Sequence, residues 1–221
     1  MTDTPKRPTS KTAPQVPGLP RALPDFIHIN RYWDRLHDTF AAKILPGECY
    51  VTAADEAIVT VLGSCVSACV RDRRLRIGGM NHFMLPEGGA DRATSPVILS
   101  SASRYGNFAM ELLINAILRH GGRREHLEVK IFGGARVLRS VTDIGQRNIA
   151  FAREYLSLEG LDLQSEDVGG PFPRKLYYFP ATGRARIKKL RRLQNRTMLE
   201  REDRYRRQIE QTPVQGDVEL F

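Results

Sequence analysis

The sequence predicts a mixed α/β domain in which two amphipathic helices lie on one side of layered β-sheets. About six short apolar runs, most of them ending at glycine or proline, are typical of buried strands. Two longer segments carry apolar residues at helical spacing. Together these patterns indicate the α/β class. A length of 221 residues with 41% hydrophobic residues suits one globular domain with tails.

The N-terminal part divides into two segments. Residues 1–25 are predicted to be a disordered lead, because residues 1–24 hold six of the 13 prolines and proline disfavours helices and packed strands. Residues 26–44 are predicted to form a helical extension that packs on the main domain. The evidence is the helical spacing of four apolar residues, namely Ile29, Trp33, Leu36 and Phe40.

The domain proper is predicted to span residues 45–190. The predicted helices cover 107–120 and 144–159, each with one apolar face and a glycine at its end. The predicted strands are apolar runs bounded by turn residues, at 58–62, 76–85, 127–132, 161–168, 175–180 and 185–190.

A basic tail is predicted over 191–221, either helical or disordered. Between positions 184 and 207 there are eleven Lys/Arg and only three acidic residues, so this stretch holds most of the net charge of +9. Such a tail is either an electrostatic contact for an acidic partner, membrane surface or nucleic acid, or a solvated helix with internal ion pairs. Nucleic acid is the least favoured partner, since no aromatic-rich basic surface or known motif accompanies the charges.

The compartment is predicted to be the cytoplasm. No apolar run approaches the ~20 residues of a membrane helix, and the N-terminus has no apolar signal core, so no membrane insertion is expected. Three cysteines, an odd number, do not make a disulfide framework and suggest a reducing environment.

Cys65 and His82 are the candidate catalytic residues. Cys65 follows a predicted strand through Gly63 and Ser64, and a helical turn beginning there would present the N–H groups of Ser64 and Cys65 to an oxyanion. His82 lies in an apolar strand pattern, and a cysteine nucleophile needs such a base in space. The alternatives are a small buried cysteine and a histidine bonded to a carbonyl.

A metal site is the competing interpretation. Cys65, Cys69 and His82 would supply three ligands, but a structural zinc site needs four and no fourth is evident. Neither Gly133-Gly134 nor Gly169-Gly170 matches a phosphate loop. The sequence therefore predicts no metal and no organic cofactor.

Several motifs resemble the chemoreceptor glutamine deamidases of the CheD family. The most specific are Thr60-Val-Leu-Gly-Ser-Cys65 and Gly78-Gly-Met-Asn-His82-Phe-Met-Leu-Pro86. Further matches are Lys130-Ile-Phe-Gly-Gly-Ala135, Ile144-Gly-Gln-Arg-Asn148, Glu166-Asp-Val-Gly-Gly170 and Pro180-Ala-Thr-Gly183. The resemblance covers residues 32–190, the whole predicted domain.

The resemblance implies a function and its residues. It implies an α-β-β sandwich similar to the catalytic domain of cytotoxic necrotizing factor toxins, and hydrolysis of receptor glutamines to glutamates through a cysteine thioester. Cys65 is then the nucleophile, His82 the general base and Thr60 the third catalytic residue. Chemotaxis receptors are the implied substrates and a CheC-type phosphatase a further partner. A non-catalytic module that docks on receptors or on such a phosphatase remains the alternative.

Overall fold

The computed structural model describes residues 18–86, 101–137, 143–191 and 196–211. Within these ranges the chain forms ten strands, three α-helices and two short 3-10 helices, at Pro24–Phe26 and Arg124–His126. Most of the predicted proline-rich lead, residues 1–17, lies outside the described residues, as do positions 192–195 and 212–221 of the tail.

The strands build two five-stranded mixed sheets. In chain order they are β1 Asn30–Asp34, β2 Thr39–Lys43, β3 Cys49–Thr52, β4 Ala57–Leu62, β5 Val66–Asp72, β6 Gly78–Asn81, β7 Leu127–Gly133, β8 Asp162–Val168, β9 Arg174–Phe179 and β10 Arg184–Lys189. The first sheet has the order β1-β2-β4-β9-β10 and the second the order β3-β6-β5-β7-β8. β2–β4 and β7–β8 pair in parallel, and the other pairs are antiparallel.

Two of the helices cover the second sheet. Helix α1 (Ser101–Arg119) contacts β3, β5 and β6, and helix α2 (Ile144–Leu158) contacts β5, β7 and β8. Nearly every residue of β5 is buried, as expected for a central strand covered on both faces. The predicted α/β class with mixed sheets and two helices on one side is therefore confirmed. The likeness to the toxin domain stays a prediction.

The predicted helix over residues 26–44 is wrong, since this segment contains the antiparallel hairpin β1–β2. The Asp34 carboxylate accepts hydrogen bonds from Leu36 N (2.9 Å) and His37 N (3.2 Å), which closes the turn. Trp33 pairs with Phe40 across the hairpin, while Leu36 is 84% exposed. Because β2 pairs with β4, the first sheet also extends past the predicted boundary at residue 45.

The described part of the basic tail includes helix α3 (Arg196–Gln211), which packs on the domain. Over positions 200–211, its buried residues are Glu202, Tyr205 and Ile209, at the i, i+3, i+7 spacing of one helical face. Ion pairs within the helix link Arg207 to Asp203 and Arg206 to Glu210, as in the interpretation of the tail as a helix with internal pairs. Among the described helices, none is long and apolar enough to cross a membrane.

Candidate active site

The loop Gly63–Cys65 passes from the first sheet to the second, and the N–H groups of Gly63 and Ser64 donate to the carboxylate of Glu202. All three of its carbonyls are held by other elements: Gly63 O accepts from Ala135 N (2.6 Å), Ser64 O from Asn148 Nδ2 (2.8 Å) and Cys65 O from Gly134 N (2.7 Å). With the carbonyl side of the loop engaged, the N–H groups of Gly63 and Ser64 face the other way. No helix begins here, contrary to the conditional prediction, since β5 starts at Val66.

Gly133 and Gly134 allow β7 to approach this loop closely. Their φ angles are 114° and 66°, in the left-handed region that favours glycine. A Cβ atom built on Gly133 would lie 2.2 Å from the carbonyl oxygen of Cys65. The glycine pair of the Lys130–Ala135 motif is thus needed for the shape of the loop Gly63–Cys65.

Asn148 on α2 ties the two halves of the site together. Its side chain is fully buried, its Nδ2 donates to Ser64 O, and its Oδ1 accepts from Leu85 N at 2.9 Å. One amide thereby fixes both the loop before Cys65 and the segment after His82. Sequence reasoning noted the motif that ends at Asn148 but assigned this residue no role.

Cys65 and His82 meet because their strands are antiparallel neighbours. Cys65 immediately precedes β5 and His82 immediately follows β6. Val66, the first residue of β5, exchanges two backbone hydrogen bonds of 3.0 and 2.9 Å with Phe83, which lies beyond the end of β6. The Cys65 Sγ lies within 4.8 Å of a ring nitrogen of His82. Cys65 is 0% exposed and His82 is 1% exposed.

Thr60 on β4 orients the His82 ring. Its Oγ1 donates to Ile44 O at 2.9 Å and lies 2.8 Å from His82 Nδ1. Since the hydroxyl proton is used on the carbonyl, Nδ1 must carry the proton that it shares with Oγ1. Nε2 then keeps its lone pair, and it has no hydrogen-bond partner among the described residues.

The burial of the pair favours its neutral form. Burial lowers the pKa of His82 from 6.5 to about 3. Burial also raises the pKa of the Cys65 thiol well above its ordinary value, and the nearby Glu202 carboxylate raises it further. In this closed state the site therefore holds a thiol and a neutral imidazole.

The carboxylate of Glu202 on α3 accepts hydrogen bonds from the backbone N–H groups of the loop Gly63–Cys65. Its Oε1 accepts from Gly63 N (2.7 Å), and its Oε2 accepts from Ser64 N (3.0 Å) and Ser64 Oγ (2.8 Å). The predicted donors were the N–H groups of Ser64 and Cys65, whereas the pair that holds this anion is Gly63 and Ser64. Sequence reasoning missed Glu202, although its helical spacing with Tyr205 and Ile209 was a readable signal.

The three residues with metal-ligand atoms here differ from those considered in the sequence. Cys65, His82 and Glu202 place one ligand atom each within 4.8 Å of the others. Cys69 is not in this group, since it lies on β5 opposite Met80. Both carboxylate oxygens of Glu202 already accept hydrogen bonds, so a metal would have to compete with three donors.

Comparisons with known proteins find similar sequences over most of the chain. A family model described as CheD chemotactic sensory transduction matches residues 84–189. A protein of Halorhodospira halophila named probable chemoreceptor glutamine deamidase CheD is 61% identical over 204 residues, covering 92% of this chain and 94% of the relative. Proteins of the same name from Hahella chejuensis and Herminiimonas arsenicoxydans are 50% identical over 213 residues (96% and 99% covered) and 53% identical over 194 residues (87% and 94% covered).

Proposed function

This chain belongs to the CheD family, and we propose that it is an amidohydrolase that converts glutamine side chains of chemoreceptors to glutamate and releases ammonia. The observation that carries the proposal is the buried set of Thr60, His82 and Cys65 beside two backbone N–H groups that bind a carboxylate. Nucleophile, base, orienting group and oxyanion donors are the parts that acyl transfer from an amide requires.

The first half of the reaction forms a thioester. His82 Nε2 takes the proton of Cys65, and the thiolate attacks the carboxamide carbon of the substrate glutamine. The N–H groups of Gly63 and Ser64 hold the oxyanion that develops on the carboxamide oxygen. His82 then gives its proton to the leaving nitrogen, so that the C–N bond breaks and ammonia departs.

The second half restores the enzyme. Neutral His82 takes a proton from water as the oxygen attacks the thioester carbon, and the C–S bond breaks to release glutamate and the Cys65 thiol. Throughout, Thr60 accepts the Nδ1–H bond and keeps Nε2 directed to the reacting groups. These steps need no metal or organic cofactor.

The consequence for the receptor is a change of charge. Each turnover replaces a neutral side chain by a carboxylate, which changes repulsion between neighbouring receptor helices and so regulates chemotactic signalling. We propose the cytoplasm as the compartment of this reaction, and the three free cysteines support this proposal.

A non-catalytic adaptor that docks on receptors or on a CheC-type phosphatase is the second candidate. The observation that favours it is the closed site, in which Cys65 is 0% exposed and the pKa of His82 is about 3. An adaptor needs neither an accessible thiol nor a basic imidazole.

One experiment separates the two candidates. A receptor cytoplasmic fragment is incubated with wild-type protein, Cys65→Ala or His82→Ala, and its peptides are analysed by mass spectrometry. Cys69→Ala is the matched control, because it removes a buried thiol on β5 that has no role in the reaction. The deamidase proposal expects conversion of specific glutamines by wild type and Cys69→Ala alone. If all four proteins bind the receptor fragment and none converts its glutamines, the deamidase proposal fails and the adaptor function is supported.

A further inference from the structure

We propose that helix α3 occupies the site of the substrate helix within its own chain, with Glu202 in the position of the product glutamate. The inference rests on the proposed deamidase function and adds to it a built-in occupant of the active site. It is carried by three independent features, namely the chemistry of Glu202, the helical face around it and the closure of the site.

The first feature is the chemical identity of the group beside the nucleophile. Deamidation of glutamine yields a glutamate side chain, and a glutamate side chain is what Gly63 N and Ser64 N bind here, at 2.7 and 3.0 Å. The carboxylate is 1% exposed and lies within 4.8 Å of the sulfur of Cys65 and a ring nitrogen of His82. It therefore stands where the reacting carboxamide of a substrate must stand.

The second feature is that α3 packs on the domain through the helical face that carries Glu202, Tyr205 and Ile209. The ring of Tyr205, one turn after Glu202, lies against Gly47, where an added Cβ would come within 2.8 Å of it. The Tyr205 hydroxyl forms a hydrogen bond with the hydroxyl of Tyr105 on α1. Ile209, on the next turn of α3, is also buried. A substrate in the same register would be a helix with glutamine followed by apolar or aromatic residues at positions +3 and +7.

The third feature is that the docked helix blocks the active site. Cys65 is fully buried, and both loop N–H groups are engaged by Glu202. The charge of Glu202 also disfavours the thiolate, because it raises the pKa of Cys65. A receptor helix must therefore displace α3 before it can react, which makes α3 an intramolecular product-like inhibitor.

The decisive test converts the occupant into a substrate. Gly63 N and Ser64 N bind different oxygens of Glu202, so in the full-length chain Glu202→Gln keeps a carbonyl acceptor for one of them. The variant also presents a carboxamide to Cys65. We expect this chain to deamidate itself: water supplies the oxygen, ammonia leaves, and position 202 reads as glutamate in peptide mass spectra. The conversion should follow first-order kinetics at a rate independent of protein concentration, since both groups are in one chain.

Two matched variants control this test. Cys65→Ala/Glu202→Gln should keep its amide, which excludes spontaneous deamidation. Glu200→Gln, two residues away on the exposed side of the same helix, should also keep its amide. Failure of Glu202→Gln to convert while wild type deamidates a receptor fragment would overturn the placement of α3 and leave the proposed function intact. Failure of both reactions would overturn both proposals.

A second measurement tests occlusion without relying on self-conversion. Glu202→Ala removes the hydrogen bonds to Gly63 and Ser64, so alkylation of Cys65 by iodoacetamide and deamidation of a receptor fragment should each accelerate about tenfold or more. Glu200→Ala should leave both rates at the wild-type level. Peptide mapping separates Cys65 from the other two buried thiols. Equal rates in Glu202→Ala and wild type would show that α3 does not close the site.

Discussion

Replacing Thr60 by valine tests whether this residue positions His82. The Oγ1–Nδ1 distance is 2.8 Å and both side chains are buried, so Thr60→Val leaves the Nδ1–H group without an acceptor at nearly unchanged volume. Leaving one partner of a buried hydrogen bond unsatisfied costs about 1–3 kcal/mol. If this cost falls on the transition state, where the imidazolium forms, kcat drops about 5- to 150-fold.

The pH dependence of the same variant distinguishes positioning from a general loss of stability. The Thr60 oxygen stabilises the imidazolium by accepting from Nδ1–H, so its removal lowers the pKa of His82. The acidic limb of the kcat/KM profile on a receptor fragment should therefore move to lower pH. A protein that is merely less stable would lose activity without this shift.

Thr60→Ser is the matched control for this prediction. It keeps the hydroxyl that donates to Ile44 O and accepts from Nδ1–H, so most of the activity and the wild-type acidic limb should return. The assay is ammonia release under steady-state conditions, with circular dichroism to show that all three proteins are folded. Wild-type kcat and an unmoved acidic limb in Thr60→Val would refute the tautomer argument.

Three further predictions concern the frame of the site. Asn148→Ala removes two buried hydrogen bonds and should lower the free energy of unfolding in urea by about 2–5 kcal/mol. Gly133→Ala, which places a Cβ against Cys65 O, should cost more stability and activity than Gly160→Ala, where φ is also positive but nothing lies within 4 Å; equal effects would contradict the close approach. Burial lowers the pKa of His82 from 6.5 to about 3, so between these values the unfolded chain binds a proton that the folded chain does not. The free energy of unfolding should therefore keep its full value above pH 6.5 and fall by up to about 1.4 kcal/mol per pH unit as the pH decreases toward 3. His82→Gln should flatten that slope in urea titrations, and an unchanged slope would exclude His82 as its source.

The elements with the strongest local patterns were predictable. Helix α2 and strands β4, β7, β8, β9 and β10 lie within one residue of their predicted bounds. Helix α1 begins six residues before the predicted start at 107, and β6 is shorter than the predicted strand over 76–85. The hairpin β1–β2 was mistaken for a helix, because Trp33, Leu36 and Phe40 fit a helical period while Asp34 makes the turn. Strands β3 and β5 were not predicted, since β5 carries Ser67 and other small residues instead of a strong β-branched run.

The chemistry of the site was predictable from the sequence, but only part of its geometry was. Cys65 and His82 stand out by residue type, and the adjacency of β5 and β6 brings them together. The role of Asn148 depends on contacts across 84 positions of chain, and that of Glu202 on contacts across 138. The helical spacing of Glu202 with Tyr205 and Ile209 indicates a buried face, but neither it nor the Asn148 motif indicates which distant groups these side chains contact.

The amino-acid sequence by itself determined the class of fold, the candidate nucleophile and base and the location of the excess charge, because these follow from local periodicity and side-chain chemistry. Only the tertiary structure decided which N–H groups bind a carboxylate beside Cys65, which tautomer His82 adopts and which side chain fills the site. Those properties depend on which distant groups satisfy buried donors and acceptors, and packing selects these partners. The tail shows the difference most clearly: its sequence reads as a basic surface, while its buried face places an acidic side chain beside Cys65.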